Sequence, residues 1–452
     1  MAQLVDDCIR QSEGGDWIIQ SLLDTDFYKF TMDYFIHTLH RGVEVEFGLI
    51  NRNPRIPLAK IIDERELRRQ LDHVMTLSLS EDELAFIRRQ NVFSKQASTE
   101  KYMEFLKQLR LTTYTLKRVG DQYELRFKAP WETVTFWEIA SMAIISELLY
   151  IALMRSMTKA DRVLFFDNAV RRLQTMLEQI KTRPWVQMAE FGTRRRFSRS
   201  WHNVAIEMFA ETLGTQLIGT SNALLVLNHN LQPVGTNAHE LPMVLTAIAP
   251  TDEEKRMAQY SVLRQWEPLF DEKLRITLPD TYGSEQFWKN MPEDLAFRVA
   301  HNWSGQRQDS GDPVDEGLRY INWLKSQGVN AKKAHKKDMS SDGLNVPLMF
   351  KINDALRDLI DDLYGMGTHA SNIEGCHPDP NQRAVVNGVA LDLTNDELFR
   401  GHSIVCKVMS ANGQPAVKLS NNVNKATGPK DEVEKYLRLF GHAGMVKQAV
   451  LV

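Results

Sequence analysis

The stretch Gly235-Thr236-Asn237-Ala238-His239-Glu240 sets one histidine, flanked by an acid, just beyond a short apolar run ending at Pro233-Val234. A loop at a strand's end suits chemistry, because the strand holds the side chain still while the loop leaves it open to substrate. A lone loop histidine is more often a hydrogen-bonded structural residue than a catalyst, so its company decides. Four further loops have the composition of phosphate and sugar handling: Phe191-Gly192-Thr193-Arg194, Gly219-Thr220-Ser221, Arg307-Gln308-Asp309-Ser310-Gly311-Asp312 and Ser341-Asp342-Gly343.

Arg194, Arg195 and Arg196, with Arg199 close behind, supply planar guanidinium forks that suit carboxylate or phosphate. A solvated basic helix start is the plainer reading. Arginines in a first turn oppose the helix dipole, however, so a cluster there calls for an anionic partner. In Arg307–Pro313, Arg307 faces an anion, while Asp309 holds either vicinal sugar hydroxyls or a metal-bound water. The same Asp-Ser-Gly-Asp-Pro vocabulary also makes an ordinary turn and helix cap. Ser341-Asp342-Gly343 and Gly365-Met366-Gly367-Thr368 read as short turns whose backbone N–H groups can cradle a phosphate. Tyr28 lies early on a helix, where it either packs in the core or stacks on a flat ring.

The elements that must position these residues change texture along the chain. Asp24 to Leu39 is helical in period, Glu44–Ile50 and Tyr123–Phe127 alternate like strands, and Glu64 to Asn91 reads as charged amphipathic helix. From Glu138 onward, helices over 139–154, 159–181 and 201–213 alternate with short strands. Strand ends are expected near Met188–Phe191, Leu217–Gly219, Leu231–Val234, Arg275–Leu278, Phe297–Ala300 and Lys337–Met339. Strands separated by helix-length crossovers pair in parallel, and polar residues at each strand's end favour an imperfect (β/α) barrel over an open sheet. Near the C-terminus, Asn412-Gly413 between apolar runs predicts a hairpin, with Pro415 at an edge. The expected division is 1–140, 141–400 and 401–452.

At 452 residues and 43% hydrophobic, the chain can bury a large core in two or three lobes. Fifty-five basic against 58 acidic residues give a net charge of −3, so no global attraction to nucleic acid or an anionic membrane is expected, and an anionic ligand needs a local cationic cluster. Cys8, Cys376 and Cys406 are far apart and odd in number, which argues against a disulfide framework or a structural zinc site and favours a reducing compartment. The N-terminus lacks a signal-peptide pattern, and the apolar stretch Met142–Met154 is interrupted by Ser146 and Glu147 and too short to span a bilayer. A cytoplasmic enzyme is the expectation.

Taken in order, the segments resemble the nicotinate phosphoribosyltransferases of the type II phosphoribosyltransferase group. The resemblance runs from Ser21–Met32 and Glu44–Phe47 through Pro130-Trp131, Trp137-Glu138 and Glu190–Arg194. It continues through Gly219–Asn222, Gly235–Glu240, Asp280–Tyr282, Arg307–Pro313, Ser341–Leu344, Gly365–Thr368 and Lys418–Ser420. It implies an α/β fold, an irregular (β/α) barrel with a smaller α/β lobe built from N- and C-terminal segments. The implied reaction joins nicotinate and phosphoribosyl pyrophosphate into nicotinate mononucleotide and pyrophosphate, coupled to ATP hydrolysis, with Mg²⁺. A homodimer is implied too, with the helix of Tyr28 reaching toward the neighbouring subunit's site.

The implied roles follow residue by residue. His239 is the transiently phosphorylated histidine, Asp280 orients its ring, and Arg194 and Arg307 bind phosphates or the nicotinate carboxylate. Asp309 takes ribose hydroxyls, Tyr28 stacks on the pyridine, and the turns with Ser341, Gly343, Gly365, Gly367 and Thr368 hold the 5′-phosphate; no metal ligand is singled out. Ser221 stands where the nicotinamide-specific relatives resemble one another in an aspartate. A carboxylate there would repel nicotinate by ~4 kcal/mol at about 4 Å for an effective dielectric of about 20. The chain departs from the pattern at 369–392, which reads as an insertion before Leu393-Thr394-Asn395-Asp396, and at Asn421, where an aspartate is common. A nicotinamide-specific enzyme and a non-catalytic relative are the alternatives.

Overall fold

The computed structural model describes residues 2–90, 92–93, 96–371, 373–378, 383–392, 402–422 and 425–442. Two sheets organise it. The first is antiparallel, in the order β13-β12-β1-β3-β2, and joins N-terminal strands β1 (Glu44–Asn51), β2 (Tyr114–Val119) and β3 (Gln122–Pro130) to C-terminal strands β12 (Ile404–Ala411) and β13 (Gln414–Pro415). Phe47 opposes Phe127 on one side and Val408 on the other, so β12 completes a sheet that the N-terminal segment leaves open. The predicted hairpin forms: Asn412 and Gly413 take φ of 46° and 74°, as a two-residue turn with both φ positive requires, and Pro415 sits on the edge strand.

The second sheet is parallel, in the order β5-β4-β9-β8-β7-β6. Its strands are β4 (Met188–Glu190), β5 (Leu217–Thr220), β6 (Ile276–Thr277), β7 (Gly305–Gln308), β8 (Lys337–Ser340) and β9 (Asp361–Met366). A flat sheet of six strands would hold its edges about 24 Å apart. Here Ile218 of β5 and Ile276 of β6 line the same cavity, so the sheet curls around it. Its hydrogen-bonded order runs from β5 to β6.

Several sequence expectations need correction. Phe297–Ala300 is not a strand but part of the helix Glu293–Asn302: Leu295, Ala296, Val299 and Ala300 are buried at helical spacing while Phe297 is exposed. The strand comes one segment later as Gly305-Gln306-Arg307-Gln308, whose buried Gln306 and Gln308 amides both donate to Asp338 of β8. Leu231–Val234 makes only a bridge between Pro233 and Thr220. The first long helix starts at Tyr28 rather than Asp24, because Asp26 bridges Asn222 and the Phe27 N–H donates to the Ser221 carbonyl. Glu64–Asn91 divides into helices Glu64–Thr76 and Glu81–Arg89, the second opened by a reciprocal Ser80–Glu83 capping box.

The apolar helical segment is also longer than expected. Trp131–Arg155 has 25 residues and the length and composition to cross a membrane, yet 94% of its apolar window is buried within the protein. Apolar on every side, its main helix Trp137–Arg155 packs against β12, β1 and the turn Thr193–Arg195, a core position that joins the two sheets. Within 369–392, β10 (Arg383–Val386) and β11 (Val389–Asp392) form a hairpin anchored to the N-terminal part of this chain by Asn387 Nδ2 donating to the Ile61 carbonyl (2.9 Å). Leu393–Asp396 lies outside the described residues.

Candidate active site

The cavity enclosed by the curled sheet has a volume of about 670 Å³. His239 stands in its wall as the cap of the helix Glu240–Ile248. Its Nδ1 lies 3.0 Å from Thr281 Oγ1, and its Nε2 lies 3.1 Å from Asp309 Oδ2 and 3.5 Å from Asp280 Oδ1. Burial lowers the imidazole pKa to about 4, outweighing the two acids, with Lys418 adding to the effect. The ring is therefore neutral at neutral pH, as a nitrogen nucleophile must be.

The second acid at the ring is a difference from expectation. Asp280 is buried beside it, but Asp309 makes the shorter contact and Thr281 engages the other nitrogen. Asp280 Oδ2 accepts from Ser310 Oγ (2.7 Å), whereas its buried Oδ1 accepts no hydrogen bond. Burial would raise the Asp309 pKa, yet Arg307, His239 and Lys418 hold it well below the usual carboxylate range. Arg307 Nη1 donates to Asp309 Oδ1 (3.0 Å) and Ser341 Oγ (3.2 Å). Asp309 would thus have to exchange a partner to hold ribose hydroxyls.

A second wall gathers around Tyr28, the first residue of the helix Tyr28–Leu39. Its ring lines the cavity of its own chain, and its hydroxyl donates to Glu138 Oε2 (3.4 Å). Gly235 meets it closely: at φ 134°, a Cβ there would lie 3.3 Å from the Tyr28 Cβ. Arg194 lies in the turn after β4 with its side chain 40% exposed, open enough to take a ligand, and 3.9 Å from Glu138 Oε1. Ser221 faces the same space, but its Oγ donates to Asp26 Oδ1 (2.8 Å), so that proton is committed to a carboxylate the sequence reading did not weigh.

The phosphate turns fall differently. Ser341 joins the Arg307–Asp309 cluster and donates to the Gln308 carbonyl (2.7 Å), and Gly343 is exposed with φ 59°. Gly365 lies inside β9, where a Cβ would meet the Phe191 ring at 2.3 Å; Gly367 approaches the Phe191 carbonyl, and Thr368 opens the helix Thr368–Ser371. The cavity wall runs through Phe191, Met339 and Leu363 rather than Gly343, Gly365, Gly367 or Thr368. The bare face of Gly365 seats the Phe191 ring at the cavity edge.

Other functional groups were missed. Lys29, buried beneath Tyr28, pairs with Glu138 (2.6 Å) and Glu240 (2.7 Å), and Glu240 also accepts from Trp131 Nε1 and Thr135 Oγ1, both at 2.7 Å. Because Glu240 follows His239 directly, this network pins the histidine's backbone; its adjacency was the one available signal. Lys407 lines the cavity from β12, with a pKa lowered to about 8 by burial, Lys418 and Arg194. Lys418 Nζ lies 3.8 Å from both Asp280 and Asp309. Asn421 Nδ2 donates to Ser284 Oγ (2.9 Å) and the Ser310 carbonyl (3.1 Å), a use no aspartate can reproduce.

Residues 186–441 match the nicotinate phosphoribosyltransferase (NAPRTase) family, and residues 23–146 match that family's N-terminal domain. Among solved structures, nicotinate phosphoribosyltransferase from Porphyromonas gingivalis is similar at 26% identity and a TM-score of 0.77, over 94% of this chain and 100% of that one. The enzyme of the same name from Vibrio cholerae is similar at 24% identity and a TM-score of 0.80, over 95% and 96% of the two chains. The chain belongs to the nicotinate phosphoribosyltransferase family, enzymes of NAD biosynthesis.

Proposed function

We propose that this chain joins nicotinate to phosphoribosyl pyrophosphate, forming nicotinate mononucleotide and pyrophosphate, with ATP hydrolysis coupled through transient phosphorylation of His239. The observation that carries this is one cavity wall holding a buried neutral imidazole beside Asp280, Asp309, Arg307 and Lys418. Attack on the γ-phosphate of ATP needs a lone pair on Nε2, the nitrogen facing Asp309. While Asp309 accepts the Nε2 proton that lone pair is absent, so attack requires the proton to move to Nδ1, where Thr281 Oγ1 accepts it, and Asp309 to turn away from the ring toward Arg307. A phosphoryl group on Nε2 would displace the two carboxylates from the ring and so reset the neighbouring anion site.

Transfer of the phosphoribosyl group passes through an oxocarbenium-like state, so positioning and charge neutralisation do most of the work. Arg307, Lys407 and Lys418 neutralise departing pyrophosphate, Arg194 takes a second anionic group, and the Tyr28 ring supports the pyridine. Two carboxylates with an orphaned buried oxygen suit a hard cation. Asp280 and Asp309 would hold Mg²⁺, which when bound supplies further neutralisation of phosphate charge. We place the enzyme in the cytoplasm as a homodimer, which light scattering tests. Incubation with phosphoribosyl pyrophosphate and either base tests the reaction: nicotinate mononucleotide is expected, and a clear preference for nicotinamide overturns the reading.

A further inference from the structure

A carboxylate stands in the wall where an acidic substrate must enter. Asp26 is 3% exposed, lines the cavity beside Tyr28 and Arg194, and accepts the Ser221 hydroxyl proton at 2.8 Å. That proton cannot also be given to a ligand. The groups facing Asp26 come from three other elements. Arg194, in the turn after β4, is a cation that pulls the Asp26 pKa down, and it also faces Glu138. Glu190 of β4 is a second acid, but His202 (3.0 Å) and Thr220 (2.7 Å) already engage it. Thr193 and Ser221 supply hydroxyls, and the Tyr28 hydroxyl faces Glu138. Glu138 is already paired with Lys29 at 2.6 Å, and Lys407 of β12 lines the same cavity, so Arg194 is left to face Asp26 and an incoming carboxylate together.

Two carboxylates brought together in a desolvated site cannot both stay ionised; one takes up a proton and donates it to the other. We propose that Asp26 and the carboxylate of nicotinate share a single proton, so that this substrate binds together with one proton taken from solvent. The proposal rests on the nicotinate reading above and adds the residue that recognises the acid. Burial already raises the Asp26 pKa against the pull of Arg194, which favours uptake there over the surrounding acids. Nicotinamide behaves oppositely. Its NH₂ donates to an ionised Asp26 and needs no proton, so acid conditions favour nicotinate and alkaline conditions narrow the discrimination.

Calorimetric titration of the full chain in buffers of different ionisation enthalpy counts the protons directly. Between pH 6 and 8.5, uptake approaching one proton per nicotinate is expected, with none for nicotinamide. Across that window, above the pKa of free Asp26 and below that of the bound pair, nicotinate affinity is expected to fall about tenfold per pH unit. In Asp26→Asn both the uptake and that slope disappear. Should that variant not fold by circular dichroism, Ser221→Ala substitutes: loss of a donor to ionised Asp26 moves the low-pH edge of uptake upward. Zero uptake in the wild type at every pH, uptake persisting in Asp26→Asn, or an unmoved edge in Ser221→Ala each overturns the proposal while leaving nicotinate as substrate. Turnover of nicotinamide with no response to nicotinate instead overturns the functional reading beneath it.

Discussion

Replacing Lys29 with methionine isolates the buried network that pins the catalytic loop. Lys29 Nζ lies 2.6 Å from Glu138 and 2.7 Å from Glu240, and all three side chains are at most 6% exposed. Methionine fills similar volume but leaves two buried carboxylates, one of them held only by Trp131 and Thr135. Removing one partner of a buried pair strands the other charge and destabilises by ~3–5 kcal/mol. Lys29, with Lys407 and Arg194, holds the Glu138 pKa below its ordinary value against burial. In the wild type this stabilisation is complete above the unfolded carboxyl value of about 4.5 and is lost as pH falls below it. In the variant Glu138 loses that cation and burial pushes its carboxyl up, so acidification from pH 7 neutralises it and relieves the strain. The stability gap between the two proteins should therefore be widest near neutrality and shrink toward pH 4.5. Thermal and urea melts of both proteins across that range measure it. A gap below ~1 kcal/mol at pH 7, or one that does not change with pH, would refute the assigned charges.

Four further outcomes are expected. His239→Asn should abolish ATP-derived labelling, and because the wild-type imidazole titrates near pH 4, labelling should persist from pH 8 down to pH 5 and fall only below it, as protonation removes the nucleophile. Arg307→Gln removes the donor to Asp309 and Ser341, and kcat/KM for phosphoribosyl pyrophosphate should fall ~100-fold or more in steady-state assays. Gly365→Ala drives a methyl into the Phe191 ring, which should lower stability by ~1–3 kcal/mol in melts and raise the KM for nicotinate through displacement of that cavity-lining ring. Asn421→Asp keeps the acceptor for the Ser284 N–H but loses both amide donors, and should lower the thermal midpoint by the equivalent of ~1–2 kcal/mol.

The legible parts of the fold were those where local chemistry and tertiary role agree. Long helices such as Lys159–Lys181, opened by the Thr158–Asp161 capping box, stand where their period places them. The Asn412-Gly413 turn does so because few other residues tolerate two consecutive positive φ angles. Strands of the parallel sheet were harder to read, because β7 and β9 carry Gln, Arg, Asp and Gly where a pattern search expects apolar residues. Their amides find partners across strands, as the Gln306 and Gln308 side-chain N–H groups do in Asp338, a pairing no local window contains. At the site, His239, Asp280, Arg307, Asp309 and Ser341 converge; composition singled out all but Asp280, which only the family resemblance named, and Arg307 lies at the end of β7 rather than in a loop. Asp26, Lys29, Glu138 and Lys407 were given no role because the partners that define them, Ser221, Glu138, Lys29 and Glu138 in turn, lie about 100 to 270 positions away. The contact that Gly365 makes was hidden for a related reason: its bare face seats Phe191, 174 positions earlier.

In the proposed function one cavity both accepts a phosphoryl group on His239 and transfers a phosphoribosyl group to nicotinate. Protein labelled with γ-phosphate-labelled ATP, freed of nucleotide and then given nicotinate and phosphoribosyl pyrophosphate, tests both halves at once. Acid-labile label on His239 that leaves as inorganic phosphate while nicotinate mononucleotide forms is the predicted result. Label that resides elsewhere, or that stays on the protein through mononucleotide formation, would contradict it.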